Sequence, residues 1–366
     1  MLSHQVKQFN PTRLTLARFY AGYSKQSLST QTSLSSRMVA AHESGKKPPS
    51  FKELKAYSDS TGFSVDFFFG KTVELVEQVD VNFRALMSVR QAKRSRAIAE
   101  GSIAAGILLP WMEENFKLPT LDLPDADILE YFSPEDAALF MRDYWKLDHV
   151  QIHNMLHLLE SRGIRVFALS KALTDLDALS FWYKGKTPIV LLDASKPAER
   201  TRFTLAHELG HLLLHRNNSK DTRDMEKEAN AFAASFLMPA KTFSSHAPRM
   251  CNDKALIAYK RYWGVSYKAL VYRMRTLNLI TDWQAKMAYI DLQKNYGNQT
   301  EPKPIDHESS QLFTKMKTAL KSHFPRLEDI ADQLNIPSAL FESLTFGMST
   351  RSCLRLVWDS ESGGEL

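Results

Sequence analysis

Cysteine is nearly absent. The 366 residues hold two, Cys251 and Cys353, far apart and in no CxxC pair. A disulfide framework is not expected, and a reducing cytoplasm is the expected compartment. Long apolar runs are missing too: the best, Ile103–Trp111, contains Gly106 and Pro110 and falls well short of the roughly 20 residues of a membrane helix. The opening MLSHQVKQFNPTRL has no apolar stretch of the kind a secretion signal carries, so export is not expected. No GxGxxG or GxxxxGKS/T pattern occurs, which argues against a nucleotide cofactor. Neither cysteine, nor any serine, stands in a recognisable nucleophile motif. What remains is ordinary globular composition, 44% hydrophobic and 24% charged, enough apolar surface for two or three domains and too much for a disordered chain.

The charge is uneven. Residues 1–110 hold 15 Lys+Arg against 8 Asp+Glu, a net of +7, whereas residues 111–366 hold 32 against 33, a net of −1. The whole excess of +6 therefore lies in the first third, which points that end toward a polyanion. The segment Phe83–Arg96 carries five basic and no acidic residues and reads either as an extension of that nucleic-acid surface along a helix or as a solvated helix face.

Composition divides the chain into regions 1–70, 71–132, 133–245 and 246–366. The first is a string of short helical patterns broken by Gly22, Gly45–Pro49 and Gly62, with Phe67–Phe69 as a packing cluster at its end. The second holds a long amphipathic pattern, Val73–Leu109, then Pro110, Pro119 and Pro124. The third opens at Ser133–Pro134–Glu135, a helix start that predicts helix as far as Ser161. Three strands follow, Ile164–Leu169, Ala178–Tyr183 and Pro188–Asp193, with Lys184–Gly185–Lys186 as a hairpin turn between the last two. The fourth is helical, interrupted by a Pro-containing polar stretch, Tyr296–Ser310, that reads as a linker. The expected class is α+β, mostly α, with a small sheet.

Within the third region lies HELGH, His207–His211, inside the helical run RFTLAHELGHLLLHR. Four residues along a helix give about 6 Å of rise and roughly 40° of rotation, so both imidazoles can reach one tetrahedral zinc ion. Glu208, beside the first histidine, is placed to act as general base. A third ligand is needed, since a catalytic zinc usually keeps three protein ligands. His215 stands about 12 Å from His207 along the axis, too far to share one ion, and reads as a supporting or surface histidine. The next helix, Asp224–Met238, offers Glu226, on one face with Asn230 and Ala233, and Glu228, on the face with Phe232 and Ser235. Trp182, beside Phe181, reads as a core aromatic; the competing reading is an edge strand that holds a peptide.

The run RFTLAHELGHLLLH, followed by EKEANAFAASFLMP at Glu226–Pro239, resembles the ImmA/IrrE family of zinc metallopeptidases. The resemblance implies a zincin-like domain over 133–245, with His207, His211 and Glu226 as Zn2+ ligands and Glu208 as general base. It further implies a regulatory role, in which cleavage of a partner repressor protein releases transcription. The N-terminal region resembles Xre/Cro-type helix-turn-helix domains through Gly22–Tyr23–Ser24, Leu28, Ser35, Val39, Glu43, Gly45 and Pro49–Ser50. Ser33 stands where that family has glycine and Ser29 where it has alanine. This second resemblance implies a DNA-binding bundle over 1–70, with a second helix near Lys25–Thr30 and a recognition helix near Ser35–His42. Ser35, Ser36 and Arg37 would face DNA, and Lys25, Lys46 and Lys47 would meet phosphate. Residues 71–132 become a helical spacer and 246–366 a helical C-terminal region.

The functional expectation is a cytoplasmic regulatory zinc endopeptidase with a DNA-binding domain, no membrane partner, and homodimerisation as an option. The competing expectation is a transcriptional regulator whose peptidase-like domain is a sensor or scaffold without proteolysis.

Overall fold

The computed structural model describes residues 8–76, 90–216, 222–248, 252–297, 300–320 and 328–348. Four short helices come first: α1 (Pro11–Tyr20), α2 (Lys25–Thr32), α3 (Ser36–Glu43) and α4 (Phe51–Thr61). Each starts where a polar side chain, that of Asn10, Ser24, Ser35 or Ser50, accepts a backbone N–H of the first turn. Ser33, in the left-handed conformation at φ 57°, ends α2. Leu14, Leu28, Val39, Leu54 and Tyr57 close the bundle's interior, and a 3-10 turn at Val65–Phe69 adds the buried rings of Phe67 and Phe68.

The amphipathic pattern of the second region forms helix only in part. Val73–Val76 belong to no helix or strand, residues 77–89 lie outside the described chain, and helix begins at Gln91. Helix α5 (Gln91–Ile103) passes through a π turn (Ala104–Leu108) into α6 (Leu109–Asn115). Pro110 explains the turn: it has no N–H, and its ring would crowd the carbonyl four residues back, so the ladder widens. Leu109 N–H accordingly donates to Ala104 O, five residues back.

Helices α7 (Ala126–Leu129), α8 (Pro134–Tyr144) and α9 (Met155–Ser161) lead to the sheet. The helix expected over 134–161 is broken between α8 and α9. Arg142, fully buried, spreads its guanidinium over the carbonyls of Asp148, Val150 and Phe236. A continuous helix would use the first two of these in its own ladder, so the chain turns through left-handed Lys146 and Asp148 instead.

The sheet is β1 (Arg165–Ala168), β2 (Ala178–Tyr183) and β3 (Thr187–Leu192), in the order β1-β3-β2. β3 is central, parallel to β1 and antiparallel to β2. Left-handed Lys184 and Gly185 make the hairpin turn, and Lys186 N–H donates to Tyr183 O. Side chains alternate across a strand, and here the alternation divides two cores. Phe167, Leu179, Phe181, Ile189 and Leu191 face the N-terminal bundle and α5, where a Cβ on Gly101 would stand 3.2 Å from the Phe181 ring. Val166, Ala178, Val190 and Leu192 face the opposite core.

That second core is built from α10 (Ala198–Leu214), α11 (Thr222–Leu237), α12 (Ala240–Ser245), α13 (Asp253–Trp263), α14 (Tyr267–Thr276) and α15 (Asp282–Tyr296). Beyond it, α16 (Gln311–Leu320), α17 (Glu328–Gln333) and α18 (Ser338–Leu344) return to the first core. Among the described residues no helix is long and apolar enough to cross a membrane. Of the stretch read as a linker, residues 301–310 are held down. Glu301 accepts from Tyr267 N–H at 2.7 Å and pairs with Lys260 at 3.0 Å, and Ile305 N–H donates to Glu199. Glu308 pairs with Arg202 and caps the start of α9, and Ser310 hydrogen-bonds Glu160.

Candidate metal centre

The site forms where α10 lies against α11. Leu205, Leu209, Leu212 and Leu213 anchor α10 in the second core, which turns His207 and His211 toward α11. Gly210 permits the approach: a Cβ there would stand 3.1 Å from the Phe232 ring and 3.3 Å from the Ala229 Cα. From α11, Glu226 reaches both imidazoles, its oxygens 3.8 Å from His207 Nε2 and 3.5 Å from His211 Nε2. The two Nε2 atoms are 2.9 Å apart. Among the described residues, His207, His211 and Glu226 are the group of His, Cys, Asp or Glu close enough to hold a metal ion. Of the two carboxylates that spacing left open, Glu226 is therefore the one at the imidazoles. Glu228 reaches His215 instead.

The donor set fits zinc. Two imidazoles and a carboxylate are a known catalytic ligand set. Ligand atoms about 2.0 Å from one tetrahedral ion stand about 3.3 Å apart, and the observed separations of 2.9, 3.5 and 3.8 Å bracket that value. Hydrogen placement agrees. His207 Nδ1 lies 3.1 Å from Asn230 Oδ1, an acceptor, so its hydrogen sits on Nδ1 and Nε2 keeps its lone pair. Burial pushes the His207 pKa below its ordinary value; Glu208 opposes this and His211 adds to it. The neutral ring, the form that binds metal, is thereby favoured.

Glu208 is buried beside the pair, and Ser180 Oγ on β2 donates to its Oε2 at 2.5 Å. Ser180 was not among the residues singled out from sequence. It lies at the middle of Ala178, Ser180 and Trp182, the strand positions that face α10, and a lone hydroxyl there was a usable signal. His207, Glu208, Glu226 and Asn230 line one cleft of about 720 Å³, with Phe203 and Thr204 on its wall and Asp177, Arg200, Arg223 and Lys227 around it. Trp182 is half-buried; its Nε1–H donates to Leu212 O, and Arg216 stacks over its ring at 3.8 Å. The indole thus packs on the end of α10.

The residues expected to meet DNA are dispersed over α2, α3 and the turn that follows α3. Lys25 starts α2, 3.6 Å from Glu43. Ser35 caps α3 by accepting from Met38 N–H, and Ser36 hydrogen-bonds Gln26 and Ser29. Both hydroxyls are therefore engaged within the bundle. Arg37 is exposed at the start of α3, and Lys46 and Lys47 are exposed beyond its other end. Of the basic segment 83–96, residues 83–89 lie outside the described chain. Within the remainder, Lys93 pairs with Asp175, and Arg96 stacks on Tyr20 and pairs with Glu100.

Residues 159–275 match the IrrE N-terminal-like domain of the Peptidase_M78 family. The matched stretch contains all three strands, α10 and α11, and so all three donors, Glu208 and Ser180. It does not extend to the N-terminal bundle or past α14. Comparison with curated proteins gave no match.

Proposed function

We propose that this chain is a regulatory zinc-dependent endopeptidase whose N-terminal bundle binds DNA and whose substrate is a partner repressor protein. One observation carries the enzymatic part: the donor atoms of His207, His211 and Glu226 converge beside a cleft that His207 and Glu226 line together with the carboxylate of Glu208. Zinc, when bound, polarises a peptide carbonyl and brings the pKa of its water toward neutrality. His207, His211 and Glu226 would hold the ion. Glu208 takes the proton of the attacking water and returns it to the leaving amine. Ser180 fixes Oε2 of Glu208 and leaves Oε1 as the proton acceptor. The cleft is open enough for an extended peptide, and its mixed rim of Asp177, Arg200, Arg223 and Lys227 suits a polypeptide better than a small anion.

The DNA part is supported by the net charge of +7 on residues 1–110. It is also supported by two helices at the expected positions, α2 and α3, with Ser33 taking the left-handed turn where glycine is usual. The repressor substrate rests on resemblance to ImmA/IrrE proteins. A second reading, a regulator whose peptidase-like domain only senses, is favoured by one observation: the Ser35 and Ser36 hydroxyls are already committed, so the bundle has a structural use for them besides DNA.

The test is co-expression with genetic neighbours, wild type against Glu208→Gln. A neighbouring repressor shortened by the wild type alone supports the endopeptidase. Equal regulation by both forms, with no neighbour shortened, supports the sensor. Replacing Arg37, Lys46 and Lys47 together by alanine tests the DNA role by operator binding in a gel-shift assay.

A further inference from the structure

His215 is too far along α10 to share an ion with His207, yet its side chain is only 2% exposed and both ring nitrogens are engaged. Nδ1 lies 2.9 Å from His211 Nδ1, and Nε2 lies 2.9 Å from Glu228 Oε2. The hydrogens on this chain are dictated by its far end. A carboxylate only accepts, so His215 Nε2 carries the hydrogen. In the neutral ring Nδ1 of His215 is then an acceptor. The short Nδ1···Nδ1 contact needs one hydrogen and one lone pair, so His211 Nδ1 supplies the hydrogen. His211 Nε2 is left with a bare lone pair, directed at His207 Nε2 and Glu226.

We infer that Glu228 and His215 are positioning residues for the metal centre: the hydrogen-bonded chain Glu228–His215–His211 holds His211 in its metal-binding tautomer and ring orientation. This rests on the metal reading of the site and adds two residues to it. The centre is thereby asymmetric. His207 is backed by a neutral amide, Asn230, whereas His211 is backed by an imidazole and, behind that, a carboxylate. Partial negative charge passed along such a chain makes His211 the more basic ligand. α11 then does more than supply Glu226: its Glu228 and Asn230 orient the two ligands offered by α10.

The rival explanation is a purely structural one. His215 is the C-cap residue of α10, where an imidazole stabilises a helix end whether or not metal binds. The two accounts differ in what they move. A capping role changes the melting temperature of the metal-free protein and leaves zinc affinity alone. A positioning role changes zinc affinity.

The experiment measures the zinc Kd of full-length protein by competition with a chelator of known affinity, for wild type, His215→Phe and Glu228→Gln. Metal-free melting temperatures are taken in parallel. Outer partners of metal-bound histidines typically contribute 10- to 100-fold in affinity, so His215→Phe is expected to weaken zinc binding by about that factor. Glu228→Gln, nearly isosteric and still an acceptor, is expected to weaken it by roughly tenfold with an unchanged metal-free melting temperature. If His215→Phe fails to fold, Glu228→Gln decides. A zinc Kd within threefold of wild type in the folded variants overturns the inference and leaves the metal reading standing. A wild-type protein that takes up no zinc removes the metal reading, and the inference with it.

Discussion

The contact between Ser180 Oγ and Glu208 Oε2 decides where one buried carboxylate points, and it can be separated from metal binding. Glu208→Gln is expected to keep zinc at one equivalent and to lower peptide cleavage by about 10²–10⁴-fold, the usual weight of a general base. Ser180→Ala removes a hydrogen bond worth about 1–1.5 kcal/mol, so turnover should fall about tenfold with zinc affinity unchanged. Loss of zinc from Ser180→Ala would mean the hydroxyl serves the fold and not the base. A different residue sets a pH response far from the cleft. His42 is fully buried, its Nδ1 2.9 Å from the Tyr57 hydroxyl. Burial lowers its pKa from the ordinary 6.5, with Glu53 opposing and Lys47 assisting. Well above pH 6.5 the ring is neutral folded or unfolded and contributes no slope. As pH falls below 6.5 the unfolded chain takes up a proton that the folded chain refuses, so stability is lost toward acid. Melting curves at pH 7.5, 6.5 and 5.5 should show this loss in wild type and a flatter profile in His42→Gln. Equal slopes would assign the acid sensitivity elsewhere.

The spacing of α10 and α11 governs whether Glu226 meets the histidines, and Gly210 sets that spacing. A glycine in mid-helix costs about 1 kcal/mol against alanine. Here the added Cβ would meet the Ala229 backbone at 3.3 Å, and backbone cannot swing aside. Gly210→Ala should therefore gain helix propensity, lose about 1–3 kcal/mol to overpacking, and part the helices by a few tenths of an ångström. The expected outcome is a melting temperature within a few degrees of wild type and zinc affinity weaker by on the order of tenfold, read by calorimetry and chelator competition. Unchanged affinity would show that Glu226 tolerates a wider gap. The same pair of helices marks how far sequence reaches. The histidine spacing, the strand alternation and the Lys184–Gly185 turn were legible because each is a local period or turn rule. The choice between Glu226 and Glu228 was not legible from spacing, because it depends on how two helices cross. The break after Tyr144 was invisible for a similar reason. No proline or glycine marks it; the cause is a buried Arg142 collecting carbonyls, one of them from α11.

At the scale of the whole molecule, the sheet is a wall shared by two cores, and the described residues from 300 onward meet both. Residues 300–310 carry the composition of a linker, with Pro302 and Pro304 barring helix. What distinguishes them from one is a pair of buried cations elsewhere: Lys260, fully buried, and Arg202, 3% exposed. Lys260 sits between Glu199 at 2.6 Å and Glu301 at 3.0 Å, and Arg202, on α10 with His207 and His211, pairs with Glu308. Arg202 also reaches the carbonyls of Ile152, His153 and Gly264, so this one side chain ties α10 to three separate segments. Removing one partner of such a pair strands a buried charge at a cost of about 3–5 kcal/mol. Glu308→Ala should therefore lower the melting temperature of the full chain, and zinc should restore part of the loss because the ion binds only the folded form. A chain ending at residue 299 keeps every residue of the 159–275 family match. It nevertheless loses Glu301 and Glu308, which leaves Lys260 with Glu199 alone and Arg202 without its carboxylate, and is expected to aggregate or to bind zinc at well under one equivalent. Should that truncated chain melt and load zinc like the full one, the peptidase fold would be complete within the matched region, and the strap would be a passive connection.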